Sequence, residues 1–123
     1  MPTANSDSKA AAQSARLHRV RVFIDEHMHE QLEVADLASI AGLSRFHFIR
    51  LFRIDTGESP RKYLLRARIN RAQQLLMTSE LSIGDVALQL GFYDNSHFAN
   101  SFRRFFGISP SEFVRRQLKR TPP

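Results

Sequence analysis

One short unit occurs twice in this chain, and nothing else limits its possible folds as tightly. Residues 36–63 read DLASIAGLSRFHFIRLFRIDTGESPRKY, and residues 85–113 read DVALQLGFYDNSHFANSFRRFFGISPSEF. Asp36, Ala38 and Gly42 match Asp85, Ala87 and Gly91 at an offset of 49. After a one-residue insertion the offset is 50, and His47, Phe48, Phe52, Gly57, Ser59 and Pro60 match His97, Phe98, Phe102, Gly107, Ser109 and Pro110. A chain of 123 residues is one domain, or two very small ones sharing a core. The fold must therefore be built from two copies of a unit too small to stand alone.

The pattern within each copy is helical. Leu17, Val20, Ile24 and Met28 recur at three- and four-residue steps, which predicts a first helix from Arg16 to His29. A short helix over roughly 35–41 ends at Gly42 as the residue after its C-cap. Ser44 is a good N-cap for a third helix, roughly 45–55, which Gly57 stops. Ser59-Pro60 opens a long fourth helix to about Thr78, with Ser as N-cap and Pro in the first turn. The second copy repeats the plan: Ser82 to Leu90, then Asp94 to Phe105 or Phe106, then a last helix from Ser109-Pro110 to about Lys119. Pro122 and Pro123 close the chain, and residues 1–15, small and polar without a periodic apolar face, read as a disordered leader. No alternating Val, Ile or Thr run is bounded by turns. The expected class is all-α with seven helices. The two helix-turn-helix units fall at about 35–56 and 82–106, within a domain spanning 16–120 and joined by the long helix at about 59–78.

Each copy is thus a helix, a glycine-centred turn and a second helix. Ala38 and Ala87 are small enough for the second helix to cross close above the first. Phe48, Leu51 and Phe52 in one copy, and Phe98, Phe102 and Phe105 in the other, form the apolar stripe that the second helix buries.

Charge narrows the ligand. The formal net charge is +6, but residues 1–44 carry a net −2 and residues 45–123 a net +8, mostly from Arg. Arginine's planar fork suits phosphate and base-edge contacts. A duplicated unit in a basic segment implies two successive grips on an extended polyanion. The absence of Cys excludes a disulfide scaffold and thiolate metal sites, and fits a reducing cytoplasm. No apolar run is long enough to span a membrane, and no signal peptide is visible.

The segments ADLASIAGLSRFHFIRLFRIDTGESPRKYLLRARINRAQQLL and SIGDVALQLGFYDNSHFANSFRRFFGISPSEFVRRQ resemble the DNA-binding domain of the AraC/XylS family of bacterial transcription regulators. The resemblance runs from about Arg16 to Lys119 and covers all but the leader and the extreme C-terminus. It implies a seven-helix fold, two helix-turn-helix units and regulation of transcription initiation. It also implies double-stranded DNA and RNA polymerase as partners, with no cofactor. The expected location is the cytoplasm, at the nucleoid.

Outward positions on the first recognition helix are Arg45, Phe46, Ile49, Arg50 and Arg53. By the resemblance, Phe46, Ile49 and Arg50 occupy the base-reading positions. Arg50 can bind guanine O6 and N7 in two-pronged fashion, while Phe46 and Ile49 suit thymine methyls. Arg45 and Arg53 suit phosphate. On the second helix the corresponding outer residues are Asn95, Ser96 and Asn100, with Arg103 and Arg104 as backbone clamps. Ser44, at a helix opening, and Arg61 and Lys62 on the long helix are further candidates for phosphate contact. Arg61 and Lys62, with Arg66, Arg68 and Arg71 on the same helix, stand equally between phosphate contact and solvated surface. A fourth helix of about 20 residues spans ~30 Å, close to the ~34 Å between successive major-groove faces. One monomer would then read an asymmetric site.

His18, His27, His29, His47 and His97 do not make a metal set, because His27 and His29 diverge on a helix and no carboxylate or Cys completes them. No Ser/His/Asp set with supporting context, phosphate loop or paired-carboxylate pocket points to an enzyme. The leader is too short and polar to be an effector domain, so the chain reads either as a fragment of a longer regulator or as a stand-alone one, which the starting Met favours. Two other readings stay open on the residues alone: a nonspecific architectural DNA binder, and a protein-interaction module for an acidic partner.

Overall fold

The computed structural model describes the backbone of residues 2–120 and the side chains of residues 8–119. It holds seven helices: α1 (Pro2–His27), α2 (Val34–Ala41), α3 (Arg45–Thr56), α4 (Pro60–Thr78), α5 (Ile83–Gln89), α6 (Asn95–Phe106) and α7 (Pro110–Arg120). No strand occurs among the described residues, so the chain is all-α. It divides into two compact units, one up to Leu64 and one from Leu65 onward.

In the first unit α1 packs on α2 and α3, and α2 packs on α3. Leu17, Val20 and Ile24 are the buried stripe of α1, facing a core that includes Leu37, Ala38, Ala41, Phe48 and Phe52. Phe48 and Phe52 lie with ring centroids 5.4 Å apart, and the Tyr63 ring meets Phe52 edge-on at 5.2 Å. Burial, and secondarily the carboxylate of Asp25, pushes the Tyr63 phenol above its usual range. Arg21 pairs with Asp55 at 3.5 Å and ties α1 to the end of α3.

The second unit rebuilds this core from its own copy. Phe98 and Phe102 take the places of Phe48 and Phe52, and Phe113 meets Phe102 edge-on at 5.6 Å, as Tyr63 meets Phe52. Phe92 and Phe106 extend the cluster, with centroids 5.0 Å from Phe98 and 4.8 Å from Phe102 respectively. The repeat therefore reproduces an aromatic packing motif as well as a backbone path.

Two features differ from the sequence expectation. The leader, expected to lack structure, is helical from Pro2 and continuous with the packed segment of α1. The alanines described there are exposed, so propensity rather than their burial favours the helix. Ala10, Ala11, Ala12 and Ala15 are strong helix formers, and extending a helix already nucleated by packing is cheap. Second, Leu51 and Phe105 are half-buried instead of lying in the core stripe, and Ser101 is buried on α6. The Arg66 guanidinium of α4 lies over the Phe105 ring, 5.0 Å from its centroid. Met1 and the closing Pro122-Pro123 lie outside the described residues.

Both turns are closed in the same way. Gly42 takes the left-handed conformation at φ 69°, with its N–H donating to the Ser39 carbonyl at 3.0 Å and the Leu43 N–H donating to the Ala38 carbonyl at 3.0 Å. Gly91, at φ 80°, does the same through Leu88 and through Phe92 to Ala87, at 3.2 and 3.1 Å. These paired bonds satisfy carbonyls that the helix end would otherwise leave bare. A Cβ on Gly42 would meet only the Arg16 Nη1 at 3.9 Å, an ordinary contact. Gly42→Ala should therefore cost about 1–2 kcal/mol, the strain of an L-residue in this conformation and no more. Urea unfolding checks it, and an unchanged midpoint would show that the turn relaxes into another shape.

Candidate nucleic-acid interface

The recognition helices α3 and α6 begin at residues with matching jobs. The Ser44 Oγ accepts from the His47 N–H at 3.3 Å, and the Asp94 Oδ1 accepts from the His97 N–H at 2.7 Å. Each satisfies one of the open N–H groups of the first turn. Ser59 and Ser109 cap α4 and α7 in the same way, through the N–H groups of Lys62 and Glu112. Asp94 adds a negative charge where Ser44 adds none, so the start of α6 is electrostatically less inviting to phosphate than the start of α3.

With the inner face of α3 fixed by Phe48 and Phe52, the opposite face is set by geometry. Phe46, Arg50 and Arg53 are exposed, at positions that share one side of the helix. Phe46 is 89% exposed, a large apolar side chain left almost wholly in water. Ile49 is half-buried. It lines a shallow concavity with Arg45 and, across the turn into α4, with Pro60 and Arg61. Three sequence-derived candidates from two helices, Arg45, Ile49 and Arg61, are thus brought together. On α6 the residues Asn95, Ser96, Asn100, Arg103 and Arg104 are all exposed.

The cations fall into two groups by partner. Arg21 pairs with Asp55, and Arg115 and Arg116 with Glu112 at 2.9 and 3.1 Å. On α4, Arg66 is taken up by the Phe105 ring, Arg71 donates to Gln74 at 3.2 Å, and Arg68 is half-buried, which lowers its guanidinium from the usual range. Arg45, Arg50, Arg53, Arg61, Lys62, Arg103 and Arg104 are exposed and have no ion-pair partner among the described residues. These seven are the cations positioned to meet an external anion on or beside the recognition helices. The structure thereby separates Arg61 and Lys62 from Arg66 and Arg68, which the sequence could not do, while Arg71 is exposed with a neutral partner, Gln74.

Sequence reasoning passed over Tyr93 and Leu88. Tyr93 is 91% exposed and Leu88 77% exposed, and together with Asn95 they line a shallow concavity at the start of α6. The only signal was the extra residue in the second turn. Among the described residues no group of three or more His, Cys, Asp or Glu could hold a metal ion, and no helix is long and apolar enough to cross a membrane.

Two helix-turn-helix units of this build define a class of nucleic-acid-binding fold, and comparison with known proteins narrows it. Residues 37–116 match the family model described as a helix-turn-helix domain. A crystal structure of the DNA-binding domain of AdpA in complex with a target DNA superposes with a TM-score of 0.83 at 39% identity, covering 86% of this chain and 96% of that one. A regulator with an AraC-type DNA-binding domain from Chromobacterium violaceum gives 0.80 at 32% identity, covering 90% and 99%. The transcriptional activator RhaS of an Enterobacter species is 35% identical over 98 residues, 80% of this chain and 35% of RhaS. The chain belongs to the AraC/XylS family of transcription regulators. It spans 34–40% of the length of the first curated relatives it matches.

Proposed function

We propose that this chain binds double-stranded DNA sequence-specifically and regulates transcription, as an activator that contacts RNA polymerase. It would bind one asymmetric site as a monomer, each recognition helix taking its own major-groove segment. The observation that carries the DNA-binding reading is the set of exposed, unpaired cations on and beside α3 and α6, interleaved with base-reading residue types. Asymmetry follows from the unequal outer faces: Phe46, Ile49 and Arg50 against Asn95, Ser96 and Asn100. The similarity to a domain crystallised with its target DNA supports the ligand, and the similarity to a named activator supports the direction of regulation.

Base reading falls to Phe46, Ile49 and Arg50, with Asn95, Ser96 and Asn100 reading weakly. Phosphate contact falls to Arg45, Arg53, Arg61, Lys62, Arg103 and Arg104, with Ser44 at the opening of α3. Fluorescence anisotropy on a duplex selected from a random pool, and on its scrambled form, tests the reading at several salt concentrations. The selected duplex should bind ~10³-fold or more tightly than the scrambled one. Affinity should fall steeply with salt, and Arg104→Gln should lower the slope of log affinity against log salt by about one. Equal affinity for both duplexes would leave only an architectural binder. A flat salt response would remove the phosphate contacts.

A further inference from the structure

The single residue by which the second copy exceeds the first is Tyr93. Leu43 and Phe92 both follow the turn glycine and close the same bond to the first helix, at 3.0 and 3.1 Å. Ser44 and Asp94 both cap the recognition helix. Between Phe92 and Asp94 stands Tyr93, with no counterpart between Leu43 and Ser44. Among the described residues it is also the most exposed of the exposed large hydrophobic side chains, at 91%, and Phe46 at 89% comes next. Each unit therefore presents one almost fully exposed aromatic beside the opening of its recognition helix.

The second observation is a replacement. At the repeat offset of 50, the position of Phe46 is occupied in the second copy by Ser96. The second unit has lost the aromatic within the helix and gained one a single residue before the helix cap. We infer that Tyr93 is a further DNA-contacting side chain of the second unit, laying its ring on a deoxyribose and donating its hydroxyl to a backbone phosphate at the groove edge. This rests on the DNA-binding reading and adds to it a residue, a position and a mode of contact.

The placement argues for backbone over base. Tyr93 lies before the cap, outside the helical positions that enter the groove, whereas Phe46 lies inside them. The neighbouring Leu88 on α5, 77% exposed and lining the same concavity, offers apolar surface that a sugar can cover. The contact also answers an electrostatic need. Asp94 repels phosphate from the start of α6, and a neutral hydroxyl donor beside it supplies an attachment that needs no positive helix end.

The test uses the full chain and the duplex it selects from a random pool. Tyr93→Ala should weaken binding about tenfold, the loss expected when an anchoring interface aromatic is truncated. The loss should be equal on the selected and scrambled duplexes, and the salt slope should be unchanged because no charge is removed. Tyr93→Phe should recover part of the loss through the ring. Binding by Tyr93→Ala within twofold of the unmodified chain overturns the inference. A loss confined to the selected duplex overturns the backbone assignment and makes Tyr93 a base reader. Failure of the unmodified chain to select any duplex would instead sink the DNA-binding reading itself. Thermal unfolding of the variant, expected to match the unmodified chain because the side chain is solvent-exposed, separates lost contact from lost fold.

Discussion

Arg50→Ala should relax discrimination at one base pair by about 1–3 kcal/mol and leave the stability of the chain unchanged. The two halves of that expectation come from different features of one residue. Arg50 is exposed and has no ion-pair partner among the described residues, so its removal breaks nothing inside the fold. It lies four residues after Phe46, on the side of α3 away from the buried Phe48 and Phe52. A guanidinium there can donate two parallel hydrogen bonds to guanine O6 and N7, a geometry that a lysine does not reproduce. Arg50→Lys should accordingly recover general affinity without recovering discrimination. Binding measured across duplexes mutated one pair at a time decides the matter. A loss of equal size on every duplex would assign Arg50 to the phosphate backbone.

Phe102→Ala should destabilise the second unit by about 3–5 kcal/mol, the largest stability effect expected of any single replacement here. Phe102 is fully buried, and its ring contacts Phe98, Phe106 and Phe113 at centroid distances of 5.9, 4.8 and 5.6 Å. Truncation removes the shared member of the cluster and leaves a cavity lined by three rings that cannot all move inward. Small domains are typically stable by only about 5–15 kcal/mol, so the loss would take a large part of the total. Urea unfolding followed by helical circular dichroism measures it, with the exposed Arg104→Ala as a control expected within ~0.5 kcal/mol of the unmodified chain. A loss below about 1 kcal/mol would mean that the aromatic cluster repacks freely.

The parts of this structure that were legible beforehand are those determined locally. Ser44, Ser82, Asp94, Ser59 and Ser109 each bond a backbone N–H three residues ahead, and that chemistry is written in adjacent letters. Gly42 and Gly91 mark turns because few other residues tolerate their φ. The all-α class followed from period and punctuation together. What escaped depends on other signals. The leader has no apolar period, yet its backbone is helical, a state that the exposed Ala10, Ala11, Ala12 and Ala15 favour by propensity. Phe105 looked like a core residue by type, but its environment is made by Arg66, thirty-nine positions earlier in the chain, and no helical period encodes that contact. Arg61 could not be told from Arg66 in the sequence, since both are arginines on the polar side of one helix. Only the neighbours distinguish them. Tyr93 was visible as an extra letter, while its exposure was not.

The bonds that set the ends of α3 and α6 use backbone groups, cap side chains and turn glycines. Phe46, Arg50, Asn95, Ser96 and Asn100 are exposed and take part in none of them. The architecture thereby separates two kinds of inheritance. Positions that specify the fold are constrained by each other, and the positions proposed to choose the target, the half-buried Ile49 aside, stand outside those constraints. On the proposed reading, such a chain could drift to a new address in few mutational steps, without passing through unfolded intermediates in sequence space. The same separation makes it a scaffold on which the outer residues can be randomised in the laboratory with most variants still folding.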